Sequence, residues 1–227
     1  MSVRLIIPNA LTAVNLVFGM LAIMFTIQND YWNAGLFVLI AMVADGLDGR
    51  VARALNAGSE FGKELDSLCD LVSFGVAPAI LAYVFYLKDF GTAGAIIAIG
   101  FATCGALRLA RFNVNTSVVK GYFMGLPIPA GGCVVATFVM LGVKPSGWIF
   151  PVMVAIFAYL MVSTVHYPDF KGKGEPIHLL AVMITAALSL YLLFLLHNAF
   201  FFVPFFAYTL FGILNSLFNL FSQRSKL

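Results

Sequence analysis

An all-α, polytopic membrane bundle of about eight transmembrane helices is the fold that this sequence predicts, and three observations lead there. Of 227 residues, 62% are hydrophobic and only 10% are charged, against ~25% charged in soluble domains. The mean hydropathy is +0.99, and the apolar residues gather in runs close to the ~20 residues that a helix needs to cross a hydrocarbon core. The few bases also alternate in density from one inter-run segment to the next, as the positive-inside rule requires. This composition excludes a disordered chain, a disulfide-stapled secreted scaffold and a nucleic-acid binder carried by a basic face. The net charge of +3 is too small to matter by its size; its placement matters.

Polar and Pro/Gly breaks divide the chain into spans at roughly 8–28, 32–54, 63–87, 91–111, 126–143, 147–166, 177–196 and 200–221. The first holds Pro8, Asn9, Thr12 and Asn15, which suits a retained helix better than a cleavable signal peptide. Strands are not expected, because runs this long and uniformly apolar lack the alternation of a membrane barrel. Pro127 and Pro129 mark a helix start after a loop. No segment outside the spans is long enough for a second unit, so one membrane-embedded domain covers 1–227. Cys69, Cys104 and Cys133 are widely separated and in apolar surroundings, so they read as small buried hydrophobes, not as metal ligands or a redox pair. His166, His178 and His197 lie near span ends and read as interfacial.

With eight spans and both termini on one side, that side holds Arg4, Arg50, Arg53, Lys63, Arg108, Arg111, Lys120, Lys171, Lys173, Arg224 and Lys226, and the other only Lys88 and Lys144. Eleven bases against two place the termini in the cytoplasm.

Six of the ten acids fall within 45–70: Asp45, Asp48, Glu60, Glu64, Asp66 and Asp70. Asp45 and Asp48 are i,i+3 and Asp66 and Asp70 are i,i+4, so each pair lies on one helix face. Gly49 and Ala52 share the face of the first pair, and Gly62 lies one turn before Asp66. An acid near the membrane centre costs ~2.5–3.5 kcal/mol on insertion scales, and clustered carboxylates repel one another unless cations intervene. Two divalent cations, Mg2+ or Mn2+, held by oxygen ligands answer both costs and leave room for a polyanion such as a diphosphate. The alternative is a solvated loop in which these acids pair with Arg50, Arg53 and Lys63, but three bases do not neutralise six acids.

The spacing Asp48-Gly49-x2-Ala52-Arg53-x8-Gly62-x3-Asp66-x3-Asp70, preceded by Asp45, resembles the signature of the CDP-alcohol phosphotransferase family at every specified position. The segments 8–15, 73–78, 107–113 and 125–130 resemble those of members whose acceptor is serine, so the likeness covers about 8–130; the additional helices at 147–221 carry no motif. The resemblance implies an enzyme of phospholipid biosynthesis that moves a phosphatidyl group from CDP-diacylglycerol to L-serine and releases CMP. It also implies a homodimer, sited in a bacterial-type cell membrane with its active site facing the cytoplasm. In that family the first three aspartates, here Asp45, Asp48 and Asp66, are metal ligands. The fourth, here Asp70, is the base on the acceptor hydroxyl and a further ligand. Gly49, Ala52, Arg53 and Gly62 would lie against the CDP moiety.

Physical readings stand beside the resemblance. Asn9 and Thr12 are i,i+3 near a helix start and suit either nucleotide contact or capping and interhelical hydrogen bonds. Arg108 and Arg111, with Asn113 beyond them, suit the phosphate or carboxylate of an acceptor, or simple positive-inside anchoring. Glycerol 3-phosphate or inositol phosphate as acceptor keeps the same chemistry. A cation-coupled transporter is the rival from another class.

Overall fold

The computed structural model describes residues 3–115, 122–168, 177–196 and 198–224. Lys120, Lys171, Lys173, His197 and Lys226, and the side chains of Arg4 and Arg224, lie outside the described residues.

Helical rods fill each of the spans anticipated from the breaks. They are α1 (Val3–Ile27), α2 (Tyr31–Ala54), α3 (Glu60–Asp70) continuing into α4 (Ala77–Phe85), α5 (Gly91–Asn115), α6 (Ile128–Met140), α7 (Ile149–Val162), α8 (Leu179–Leu195) and α9 (Phe202–Arg224). Among the described residues four stretches, Ile6–Ile27, Glu60–Phe85, Leu87–Val114 and Phe202–Asn219, are long and apolar enough to cross a membrane. α6, α7 and α8 are apolar but shorter, and α2 carries the first aspartate pair; the described residues thus establish a mostly helical membrane protein with four candidate spans.

The bundle core is apolar, with Phe74, Phe101, Leu81 and Ile128 fully buried, but α1 packs inside-out relative to a helix of a soluble bundle. On α1, Pro8, Thr12, Asn15, Gly19, Ala22 and Thr26 recur every three or four residues and are buried, whereas Ile6, Ile7, Val14, Val17, Met20 and Met24 are exposed. Small and polar residues face the bundle and large apolar ones face outward, as expected where the surrounding solvent is lipid. α2 begins on Asp30, whose carboxylate accepts from the Asn33 amide at 3.2 Å, and α3 on Ser59, whose hydroxyl accepts from Gly62 at 3.0 Å; both are N-caps that fix where the acid-bearing helices start.

Two features depart from the sequence reading. Between α3 and α4, residues Leu71–Val76 widen into a π-helix, with the Ala77 amide bonded to the Val72 carbonyl five residues back. Pro78 explains this: its ring would collide with the Phe74 carbonyl in a regular α-helix, and the wider turn relieves the collision. The second is a short antiparallel pair, β1 (Tyr122–Met124) with β2 (His166–Pro168), where no strand was expected. It lies outside the helical rods, and backbone groups there pair across the ladder instead of along a helix.

Arg111 fastens that ladder to the bundle. Its guanidinium donates to the carbonyl oxygens of Val162 and Ser163 at 2.9 Å, Met161 at 3.3 Å and Met124 at 3.4 Å. These include the orphan carbonyls at the end of α7, a site that favours a cation. Gly125 makes the approach possible: its φ is +76°, and a Cβ there would lie 2.4 Å from the Met161 carbonyl oxygen and 2.8 Å from Arg111. Replacing Arg111 with Met leaves several carbonyls unpaired and is expected to cost about 2–3 kcal/mol of stability. The measurement is the unfolding midpoint in detergent. Arg111→Lys, which lacks the planar fork, should recover only part of the loss.

Candidate active site

α2 and α3 lean together through α1, and their inward faces carry the acids. Asp45, Asp48 and Asp66 each offer a carboxylate oxygen within 4.8 Å of the others. The two pairs foreseen from helical spacing therefore come from two helices to one place. Asp48 and Asp70 are buried. The Asp66 Oδ1 is buried and has no hydrogen-bond partner. An all-oxygen donor set with an unpaired buried oxygen fits a hard divalent cation.

α1 holds this cluster from the other side. Thr12 donates its hydroxyl to Asp48 Oδ2 at 2.6 Å and also bonds the Pro8 carbonyl at 3.1 Å. One turn later Asn15 donates its amide nitrogen to Asp70 Oδ1 at 3.0 Å. Of the two readings for Thr12, the interhelical hydrogen bond is thus observed. The sequence places Asn15 in an apolar run and at the end of the segment 8–15 without giving it a contact, although its i,i+3 relation to Thr12 puts both on the same face.

Beside the cluster opens a cleft of about 220 Å³ whose lining includes Asn9, Thr12, Gly49, Ala52 and Gly62 together with Asp48 and Asp66. Five of the six residues assigned to a CDP moiety meet here. The sixth, Arg53, is exposed, with its guanidinium alongside Gly49: a Cβ there would lie 3.5 Å from it. A Cβ at Gly62 would lie 3.0 Å from the Asn9 side-chain oxygen, so any larger residue narrows the cleft. Lys63 and Ser59 also line it, and sequence reasoning missed both as cleft residues. Lys63 had been counted only as a loop charge, yet it donates to the Asn113 carbonyl at 3.3 Å, and the Asn113 amide donates to Ser67 at 2.9 Å. Asn113 thereby ties the end of α5 to α3.

Arg108 and Arg111 separate, despite their shared face in the sequence reading. Arg111 is committed to carbonyls as described. Arg108 is only 6% exposed, its Nε has no hydrogen-bond partner, and its guanidinium lies over the Phe112 ring at 5.1 Å. Among the charges it faces are Asp70 and Asp45, with Tyr208 of α9 also within reach. Its burial removes it from the tally of loop charges that set the orientation. The remaining candidates are ordinary: Cys69 and Cys133 are buried as expected, whereas Cys104 is only half-buried, the His166 ring packs on Tyr122 at 4.0 Å, and His178 Nε2 meets Asn219 at 2.8 Å.

Residues 5–213 match the CDP-alcohol phosphatidyltransferase family, and the chain belongs to it. Among similar proteins, the CDP-diacylglycerol–serine O-phosphatidyltransferase of Helicobacter pylori is 39% identical over 171 residues, 72% of each chain. That of Bacillus subtilis is 40% identical over 170 residues, covering 73% of this chain and 91% of the relative. The archaetidylserine synthase of Methanothermobacter thermautotrophicus is 38% identical over 170 residues, covering 74% and 72%. Membership sets aside the transporter alternative.

If the cluster is a metal centre, Mn2+ binding followed by electron paramagnetic resonance should weaken at least tenfold in Asp45→Asn, Asp48→Asn and Asp66→Asn. Unchanged binding in all three folded variants would dissociate the cluster from any metal.

Proposed function

We propose that this chain transfers the phosphatidyl group of CDP-diacylglycerol to the hydroxyl of L-serine, forming phosphatidylserine and CMP in phospholipid biosynthesis. The observation that carries the reading is the convergence of Asp45, Asp48 and Asp66 next to a cleft bordered by Asn9, Gly49 and Gly62, with Asp70 buried behind them. Relatives named for serine transfer, matched over most of both chains, support the choice of acceptor.

The cleft takes the cytidine and diphosphate, with Arg53 and Lys63 available to phosphate oxygens. Asp45, Asp48 and Asp66 would hold two divalent cations, Mg2+ or Mn2+, with Asp70 at their edge. Ions bound there would neutralise the diphosphate and the charge developing on the leaving group. Arg108 pairs with the carboxylate of serine, whose burial makes such a contact strong. Asp70 accepts the proton of the serine hydroxyl. The serine oxygen bonds to the phosphorus that bears diacylglycerol, the bond from that same phosphorus to the bridging anhydride oxygen breaks, and CMP departs with the bridging oxygen and its electron pair. The outward-facing apolar residues hold the acyl chains in the membrane. In this reading the chain crosses that membrane eight times, with its termini and site in the cytoplasm, and works as a homodimer.

CMP release by the purified chain in lipid–detergent micelles tests this directly. With Mg2+ or Mn2+ it should depend on CDP-diacylglycerol and serine, and fall to background with a chelator. Release driven by glycerol 3-phosphate or inositol phosphate but not by serine would retain the chemistry and overturn the acceptor. Asp70→Asn should lower kcat by roughly 10²–10⁴, the range of general-base contributions; near-normal turnover would remove Asp70 from that role. Gly62→Leu should raise KM for CDP-diacylglycerol at least tenfold with little change in KM for serine, since the added side chain narrows the nucleotide cleft alone.

A further inference from the structure

Asn15 has a peculiarity that holding Asp70 does not account for. It is fully buried, and its amide nitrogen is spent on Asp70 Oδ1 at 3.0 Å, yet its amide oxygen has no hydrogen-bond partner. Against an ionised Asp70 this orientation is favoured, because turning the amide over would set its oxygen against the carboxylate oxygen. Relaxation is also blocked. The Asn15 main-chain carbonyl accepts from Ser73 Oγ at 3.0 Å, and Ser73 lies so close to Gly19 that a Cβ there would be 2.3 Å from Ser73 Oγ. Ser73 itself stands in the π-helical turn. The backbone of Asn15 is therefore held against the π-helical turn by Ser73, and a buried unpaired acceptor persists next to the proposed base. Such groups are rare in folded proteins and ask for a partner.

Arg108 is its counterpart: a guanidinium more than nine-tenths buried, with Nε unpaired, facing the same Asp70. Around one carboxylate the site thus displays an unused acceptor and an unused cationic donor. An α-amino acid with a side-chain hydroxyl carries the complementary set: an ammonium that donates, a carboxylate that accepts and a hydroxyl that loses its proton.

We infer that Asn15 reads the acceptor, its amide oxygen taking a hydrogen bond from the ammonium group while Arg108 takes the carboxylate and Asp70 the hydroxyl. The inference rests on the serine reading above and assigns a specificity residue to it. A buried polar group built to bond a substrate discriminates strongly against analogues that leave it unpaired. Asn15 therefore selects against acceptors lacking an ammonium group.

The test uses the full chain in micelles with CDP-diacylglycerol and Mg2+, comparing serine with 3-hydroxypropionate, which lacks the ammonium, and ethanolamine, which lacks the carboxylate. In Asn15→Leu the serine to 3-hydroxypropionate ratio of kcat/KM should fall at least tenfold, chiefly through a higher KM for serine, while the serine to ethanolamine ratio holds. Arg108→Met should show the reverse. Ratios cancel any loss through Asp70, which all acceptors share. Alanine, with both charged groups and no hydroxyl, should inhibit wild type competitively, and its inhibition constant should rise at least tenfold in Asn15→Leu. Asn15→Ala serves if the leucine variant does not fold. An unchanged ratio and an unchanged alanine constant in a folded variant overturn the role of Asn15 alone. Failure of serine to stimulate CMP release by wild type overturns the serine reading itself.

Discussion

Like-charge repulsion among carboxylates inside an apolar bundle is the constraint around which this molecule is organised. Asp45, Asp48 and Asp66 meet within 4.8 Å and Asp70 is buried nearby. Nothing in a hydrocarbon environment favours such an arrangement, and each acid opposes insertion. In the proposed function, cations supplied from solution would resolve the repulsion, and the protein supplies orientation. Thr12 fixes Asp48 and Asn15 fixes Asp70, both from one face of α1. The first helix is thus both a membrane anchor and the wall that aims the acids.

Much of the remaining architecture follows from bringing α1 close enough to do this. Its inward face is small or polar, which lets backbones approach, and its outward face is large and apolar. The π-helical turn ahead of Pro78 moves Ser73 against Gly19 and Asn15 immediately after Asp70. A backbone irregularity thereby abuts the proposed base, a placement common for π-turns. On the other side of the site Arg111 joins α5 to the end of α7 and to the strand ladder, while Arg108, one turn earlier, faces the acids. Two similar residues three apart on one helix do different work because their neighbours differ.

The rods and the paired aspartates were legible in the sequence because both depend on local periodicity. Apolar run length reports helices, and i,i+3 or i,i+4 spacing places Asp45 with Asp48 and Asp66 with Asp70. The cleft was legible in part, since Gly49, Ala52 and Gly62 follow from the same faces. Contacts between distant segments were not. That Arg111 satisfies the carbonyls of Met161, Val162 and Ser163 depends on a helix end fifty residues away, and nothing local marks it. Asn15 was visible as a polar residue in an apolar helix, but its partner could be known only once α1 lay against α3. The short strands formed where main-chain hydrogen bonding, not hydropathy, decided the conformation.

Anomalous diffraction from crystals grown with Mn2+ and CDP-diacylglycerol is the most direct measurement of whether this carboxylate cluster is the centre of the chemistry. The predicted result is manganese bound by Asp45, Asp48 and Asp66, with the diphosphate against it and the cytidine in the cleft beside Asn9 and Gly62. Manganese and nucleotide bound elsewhere, with the four carboxylates left to one another, would contradict it.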